Sequence, residues 1–179
     1  MKKVLGIVLV MAVIVGGSAA FFACGTAAGA VEVRITDAPP SNVTSINVTV
    51  DEIMIHRALA GNESGWETIP IVVNGNVTSN VTFDLVQTAG NETVVGYQPS
   101  VAAGNYTQLR MHVVSVNVTI DSQIREASVP SEWLKFVRPF EVASGGTTTL
   151  IVDFDAEKSI VITGNEEVKF MPVVKLLMR

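Results

Sequence analysis

Eight asparagines of this sequence share a spacing that permits a covalent modification. Of the ten asparagines in the chain, eight begin an Asn-x-Ser/Thr triplet without proline: Asn42, Asn47, Asn62, Asn76, Asn80, Asn91, Asn105 and Asn117. This triplet is the acceptor for N-linked glycosylation. Serine and threonine make up 27 of 179 residues, so chance alone would give about 1.5 such triplets. The excess predicts that several of these asparagines carry glycans.

The positions of the triplets fit that interpretation, because a glycan-bearing asparagine must face water. Asn47 and Asn117 each lie between two apolar residues of an alternating run, so both should point away from the core. Five others fall in or beside predicted turns: Asn62, Asn76, Asn80, Asn91 and Asn105. The alternative is accidental, since threonine is common in strands and asparagine in turns.

Residues suited to other chemistry are sparse. His56 and His112 are isolated, and the sequence has no Gly-x-Ser-x-Gly, His-Glu-x-x-His, Cys-x-x-Cys, phosphate-loop or dinucleotide-binding motif. Asp153 and Asp155 share one face of a predicted strand and are weak calcium candidates, although a solvated strand face explains them more simply. We therefore expect a protein that is not an enzyme and has no cofactor, with a hydrolase as the remote alternative.

The start of the chain has the pattern of an export signal. Lys2 and Lys3 precede an uncharged apolar run that ends at Ala23. The pattern predicts a signal peptide over residues 1–23, and an uncleaved membrane anchor is the alternative because twenty apolar residues can span a bilayer.

Cys24, the only cysteine, follows this run directly and cannot form an internal disulfide. Its position resembles a lipobox, where cleavage precedes a cysteine that receives lipid, although Phe21 departs from the usual leucine. Cleavage before Val31 is the alternative. We expect a linker over residues 24–30 and one folded domain over 31–179 outside the membrane. A lipobox combined with many glycosylation triplets suggests an archaeal cell surface.

The charge of the exported part argues against one class of partner. Without residues 1–23 the chain loses two of its 12 Lys and Arg and keeps 17 Asp and Glu, so its net charge is −7. An acidic surface repels phosphate backbones, so we expect no nucleic-acid partner.

The rest of the chain reads as short β-branched runs separated by turn signals. About eight to ten strands predict an antiparallel β-sandwich, immunoglobulin-like or prealbumin-like, with a closed barrel as the alternative. A change of phase at Val113–Val114 predicts a β-bulge or a strand that crosses between sheets, and Asn74-Gly75 predicts a type I′ hairpin. Residues 66–73 and 168–177 each read as one strand.

Several phrases together resemble a known family. They are TDAP at 36–39, Trp66, AGNYTQLR at 103–110, DFDAEKSI at 153–160 and MPVVK at 171–175. In this order they resemble the domain of unknown function 4382 family of exported bacterial and archaeal proteins, often lipoproteins. The resemblance implies a cell-surface β-sandwich without an established activity, so it supplies no catalytic residues. It marks the phrase with Asp153 and Asp155, and also Arg110, as hallmarks, and we expect Arg110 to pair with one of these two aspartates.

Two functional expectations follow. The first is a non-enzymatic envelope protein, membrane-anchored or filament-forming, in which strand Val31 to Thr36 could add to the sheet edge of another copy. The second is a carbohydrate or small-ligand module that uses exposed aromatic residues, with Trp66, Tyr97 and Trp133 as candidates. The expected partners are the membrane, N-linked glycans and copies of the same chain.

Overall fold

The computed structural model describes residues 27–38, 43–58 and 65–179. These residues form fifteen strands and one short helix. In chain order they are β1 (Ala28–Ala38), β2 (Ser45–Arg57), β3 (Trp66–Thr68), β4 (Ile71–Val73), β5 (Asn76–Thr78), β6 (Val81–Asp84), β7 (Thr93–Ala102), β8 (Gly104–Ile120), β9 (Gln123–Glu126), β10 (Trp133–Phe136), β11 (Phe140–Val142), β12 (Thr147–Asp155), α1 (Ala156–Ser159), β13 (Ile160–Ile162), β14 (Val168–Phe170) and β15 (Val174–Met178).

Two large sheets contain most of the strands. The six-stranded sheet has the order β15-β12-β1-β7-β4-β5. The seven-stranded sheet has the order β10-β8-β2-β3, with β9 and β11 also paired to β8 and β6 paired to β2. Strands β13 and β14 form a separate ribbon.

The inner faces of the two sheets share one core, which confirms the predicted all-β sandwich. Phe83 of the seven-stranded sheet and Phe154 of the six-stranded sheet have ring centroids 6.3 Å apart. Gly96 of β7 lies so close to the opposite layer that an added Cβ would be 3.1 Å from Cδ1 of Ile53 on β2. Both sheets end in edge strands within the described residues, so the alternative of a closed barrel is wrong.

Two predicted strands are each broken by a proline. Residues 66–73 divide at Pro70 into β3 of the seven-stranded sheet and β4 of the six-stranded sheet. Residues 168–177 divide around Pro172 into β14 and β15. Proline has no backbone N–H to donate to a ladder, so the chain leaves one sheet there and can enter another. This accounts for part of the difference between fifteen strands and the eight to ten predicted.

The pairing of β1 also departs from the prediction. It lies between β7, with which it is antiparallel, and β12, with which it is parallel over Ala30 to Ala38 and Thr147 to Asp155. The sandwich is therefore mixed. Because both edges of β1 are paired within its own chain, β1 is no free strand for another copy. It also begins at Ala28, inside the segment predicted as a linker.

The predicted bulge is confirmed. Thr49 pairs with Ser115 and Val50 with Val113, so Val114 has no opposite residue and is 54% exposed. One extra residue in a strand shifts the alternation of its side chains, which is why Val113 and Val116 are both buried.

The predicted hairpin is confirmed as well. Asn74 and Gly75 have φ angles of 52° and 80°, and Val73 pairs with Asn76 across the two-residue loop. Positive φ at both central residues is the signature of a type I′ turn.

Among the described residues, none of the helices is long and apolar enough to cross a membrane.

Candidate functional site

Three of the phrases that resemble the family meet at one end of the six-stranded sheet. Because β1 and β12 are parallel neighbours, Asp37 and Phe154 lie side by side where the two strands end. Asp37 is 5% exposed, and its Oδ1 accepts a hydrogen bond of 2.9 Å from the backbone N–H of Ala156. The Ser159 hydroxyl donates to the Asp155 carbonyl at 2.7 Å and accepts from the N–H of Val173 at 2.9 Å. These phrases therefore build a structural junction.

The two calcium candidates belong to this junction. Asp155 caps helix α1, and its carboxylate accepts from the Lys158 backbone N–H at 3.2 Å and from Lys158 Nζ at 2.6 Å. These hydrogen bonds and the positive charges of Lys158 and Lys175 hold the pKa of Asp155 below its ordinary value. Asp153 lies opposite Lys175 in the ladder between β12 and β15. In the part of the chain that the structure describes, His, Cys, Asp and Glu form no group of three or more that could hold a metal ion.

The expected pairing of Arg110 with these aspartates is wrong. Arg110 lies on β8 in the seven-stranded sheet, where its Nε donates to Gln108 Oε1 at 2.8 Å. Its guanidinium stacks on the ring of Trp66, 4.1 Å from the centroid. The alternating pattern places Arg110 on an outer face, but the sequence contains no signal that identifies Trp66 as its neighbour.

The outer face of the seven-stranded sheet holds both tryptophans and both histidines of the chain at one end, which we call the tryptophan end. His56 contacts Trp66 edge to face, with ring centroids 4.7 Å apart, and its Nδ1 lies 2.9 Å from Thr107 Oγ1. His112 contacts Trp133 with centroids 4.9 Å apart. Both tryptophans are partly buried, and each has a ring contact with a side chain of the same face. Trp66 is contacted by Arg110 and His56, whereas Trp133 also lines a groove of about 490 Å³ together with Phe170 and Met171.

His112 at the tryptophan end has a distinct electrostatic environment. Its Nδ1 is 2.6 Å from Asp51 Oδ1, and its Nε2 is 3.7 Å from Glu132 Oε2. The hydrogen bond to Asp51 and the two carboxylate charges raise the pKa of His112 above its ordinary value, against a smaller opposing effect of burial.

On the inner face of the same sheet, Tyr106 of the phrase AGNYTQLR has a structural role. The buried ring of Tyr106 stacks on Phe140 at 5.3 Å, and its hydroxyl donates to the Ala102 carbonyl at 2.8 Å. Burial, together with the negative charge of Glu67, raises the pKa of Tyr106 to about 12. The hydroxyl therefore stays protonated and acts as a hydrogen-bond donor.

The outer face of the six-stranded sheet holds a groove of about 600 Å³, which we call the Tyr97 groove. Tyr97 is 38% exposed and lies opposite Glu32 in the ladder between β7 and β1. Glu92 also lines the groove, and Arg34 connects the two carboxylates, with Nε 2.6 Å from Glu32 and NH1 3.3 Å from Glu92. Arg179 also pairs with Glu92. An aromatic ring beside fixed acceptors can bind a polar ligand that also has an apolar face.

Sequence reasoning identified only Tyr97 in this groove. The alternation in β1 places Glu32 and Arg34 on an outer face, which was visible in the sequence. Glu92, however, is 58 residues from Arg34, and nothing in the spacing joins them.

The predicted glycosylation triplets within the described residues occupy two kinds of position. Asn76, Asn80, Asn91 and Asn105 are exposed. Asn47 and Asn117 lie on the outer face of the seven-stranded sheet, partly buried, as the alternation predicts. The other predicted positions, Cys24, Asn42, Asn62 and the signal segment 1–23, lie outside the described residues.

The comparisons with known proteins give one result. The family described as Domain of unknown function (DUF4382) matches residues 28–172. No curated protein and no solved structure matches the chain significantly.

Proposed function

Because the chain belongs to the Domain of unknown function (DUF4382) family, whose description names no activity, we propose a role from its own surface. The protein is a non-enzymatic, N-glycosylated component of the cell exterior, structural or adhesive, most consistent with an archaeal envelope. The supporting observation is that none of the six glycosylation triplets within the described residues places its asparagine in the core.

Asparagine is mostly exposed in folded proteins, so outward placement permits glycosylation, and the number of triplets is what exceeds chance. Eight of ten asparagines head a triplet, against about 1.5 expected from composition. A glycan at an inward position of either sheet would have to displace packed side chains, so selection for glycosylation requires outward placement.

The start of β1 favours processing before Cys24 over processing before Val31. Ala28 pairs with Ala102, and the N–H of Ala30 donates to the carbonyl of Gly146 at 2.8 Å. Cleavage before Val31 would remove these paired residues, whereas cleavage before Cys24 would keep the whole strand. We therefore propose a lipid on Cys24 that anchors the domain through a short linker.

Self-association by strand addition would need an edge other than β1. The six-stranded sheet ends at β5 and β15. Strand β5 begins with Asn76, whose glycan would obstruct addition, while β15 exposes 41% of Leu177. The Arg138 guanidinium donates to the Leu176 carbonyl of β15, so this edge is partly protected. Of the two edges of the six-stranded sheet, β15 is therefore the one that a filament contact would use, after Arg138 is displaced.

Mass spectrometry of the protein isolated from its native membrane tests this proposal. The intact mass should exceed that of residues 24–179 by one lipid group and several glycans. Peptide mapping should locate hexose-containing masses on the triplet asparagines. A native protein with the unmodified mass of residues 24–179 or 31–179 would contradict both the anchor and the glycans.

A second function, carbohydrate binding, is supported by the Tyr97 groove. Sugar rings stack their apolar face on an aromatic ring while their hydroxyls donate to carboxylates, and Arg34 holds Glu32 and Glu92 in place for this. Calorimetric titration of the full-length protein with soluble envelope oligosaccharides tests it. Replacing Tyr97→Ala should weaken binding about tenfold, whereas Trp133→Ala, on the opposite sheet, should leave it unchanged. Binding that survives Tyr97→Ala would exclude the groove.

A further inference from the structure

Two glycosylation triplets lie on central strands of the seven-stranded sheet, and their asparagines are opposite each other in the ladder. Asn47 on β2 is directly opposite Asn117 on β8. On the other side of each strand, Asn47 lies opposite Asp84 in the ladder with β6, and Asn117 lies opposite Glu126 in the ladder with β9. Each asparagine is therefore in a strand that has a hydrogen-bonded neighbour on both sides.

The polar side chains of the Asn47 triplet also make hydrogen bonds. Asn47 Nδ2, the atom that a glycan would occupy, donates to Ser45 Oγ at 3.0 Å. The Thr49 hydroxyl lies 2.8 Å from the Thr82 hydroxyl of β6, and one donates to the other. The nitrogen and the hydroxyl that define the acceptor triplet thus make hydrogen bonds within the sheet.

Glycan transfer requires this segment to be accessible. The asparagine nitrogen forms a bond to C1 of the first sugar of a lipid-linked oligosaccharide. The bond from C1 to the lipid phosphate breaks, the lipid phosphate leaves, and the nitrogen loses one proton to a base of the transferase. The enzyme must bind the chain on both sides of the asparagine during this step. A strand inside a sheet can offer that only after its ladders open, which means unfolding of the core beneath it.

Two other triplets provide the contrast. Asn91-Glu92-Thr93 begins in the loop before β7, and Asn76-Val77-Thr78 forms the edge strand β5, which among the described strands pairs with β4 alone. All six of these residues are exposed. A transferase can approach them without opening the sandwich.

We propose that Asn47 and Asn117 accept glycans only before β2 and β8 pair, so that folding closes these two sites while Asn76 and Asn91 remain open. The inference rests on the proposed N-glycosylation of this protein. Its consequence is that glycans on the seven-stranded face record an event during or just after export, whereas glycans on the edges can be added at any time.

In vitro glycosylation tests the difference. The full-length chain, produced without glycans and folded, is incubated with archaeal membranes that contain oligosaccharyltransferase and lipid-linked oligosaccharide. Peptides covering residues 43–51 and 113–121 serve as unfolded controls, and glycopeptide mass spectrometry measures each site. Asn76 and Asn91 of the folded chain should be modified. Asn47 and Asn117 should be modified about a hundredfold more slowly than in the peptides.

A destabilised chain sharpens the test. Gly96→Val, which disturbs the core between the sheets, should increase modification at Asn47 and Asn117 and leave Asn91 unchanged. If this variant does not fold, its two strand sites should be modified at the rate of the peptides.

The outcomes separate this inference from the proposed function. Modification of Asn47 in the folded chain at the peptide rate would overturn the inference and keep glycosylation. If the peptides are modified but no site of the folded chain is, not even Asn91, the contrast between the strand sites and the exposed sites would be overturned. Absence of modification in the peptides as well as the chain would remove the glycosylation proposal, and this inference with it.

Discussion

The outer faces of the two sheets differ in the chemistry they offer. The six-stranded face has a groove beside Tyr97, with Glu32 and Glu92 connected by Arg34. The seven-stranded face has paired asparagines at one end and stacked tryptophans and histidines at the other. The first face has an exposed aromatic ring beside two fixed carboxylates, and the second has rows of side chains that contact each other. The comparison bears on the proposed carbohydrate binding, which needs such a ring and such acceptors.

Irregular strand pairing does not explain this difference. The ladder of β2 and β8 shifts register at three points and the ladder of β1 and β7 at two, so both faces lie over bulged strands. The difference lies in the side chains: Arg34 holds two carboxylates beside Tyr97 on one face, whereas Arg110 and His56 contact Trp66 on the other.

The substitution with the largest expected effect disturbs the core that both faces share, so it should affect the two faces together. A Cβ on Gly96 would be 3.1 Å from Ile53 Cδ1 and 3.2 Å from Ile69 Cγ2. Gly96→Val should therefore lower the free energy of unfolding by about 1–3 kcal/mol. Urea denaturation measures it, with Gly164→Ala as the control because nothing lies within 4 Å of that position. Equal midpoints for the two variants would mean that the sheets do not pack closely at Gly96.

A second change acts on the six-stranded sheet alone. Asp37→Ala removes the buried acceptor of the Ala156 N–H and should cost about 1–3 kcal/mol in the free energy of unfolding. Asp37→Asn keeps an oxygen acceptor at the same place and should cost less. Thermal and urea denaturation compare the pair. An alanine variant as stable as the asparagine variant would show that this hydrogen bond is dispensable.

A third change acts on the tryptophan end alone. Arg110→Leu removes the cation above Trp66 and should cost about 0.5–1 kcal/mol, with Arg110→Lys in between. In a Trp133→Phe background, fluorescence reports only Trp66. Its emission should shift to longer wavelength and become easier to quench with iodide in the leucine variant. Identical spectra would show that Arg110 does not cover the ring in solution.

The smallest effect is pH dependence at the same end. The raised pKa of His112 means that its protonated form stabilises the folded state. This contribution is fully present below the unfolded pKa of about 6.5 and is lost as pH rises through the higher folded pKa. Since the pair with Asp51 is partly exposed, the loss should be about 0.5 kcal/mol. Urea midpoints between pH 5 and 8 should show it, and His112→Gln should abolish it. A slope that persists in His112→Gln would assign it to other groups.

Local signals in the sequence predicted much of the fold. The Asn74-Gly75 turn, the bulge at Val114 and the outward direction of Asn47 and Asn117 follow from residue type and alternation, and all are present. These features depend on neighbours in the chain, so a single sequence contains the information.

Features that depend on distant partners were not predictable in this way. The parallel pairing of β1 with β12, the stacking of Arg110 on Trp66 and the link from Arg34 to Glu92 each join residues more than forty positions apart. Alternation assigns such a residue to a face but does not identify what lies beside it there. The expected ion pair of Arg110 with Asp153 or Asp155 failed for this reason, because those residues lie in the other sheet.

The place of β1 has a consequence for the time course of assembly. In the proposed export of the chain, β1 emerges before the other described strands, and its partner residues in β12 are 117 positions further along the chain. Contacts of such long range form slowly, and none of the β12 contacts can form before residue 147 has emerged. A chain that emerges in sequence order therefore spends an interval in which β1 can pair with β7 but not yet with β12. A chaperone or a membrane enzyme at the exit would meet this incomplete sandwich before any finished surface exists.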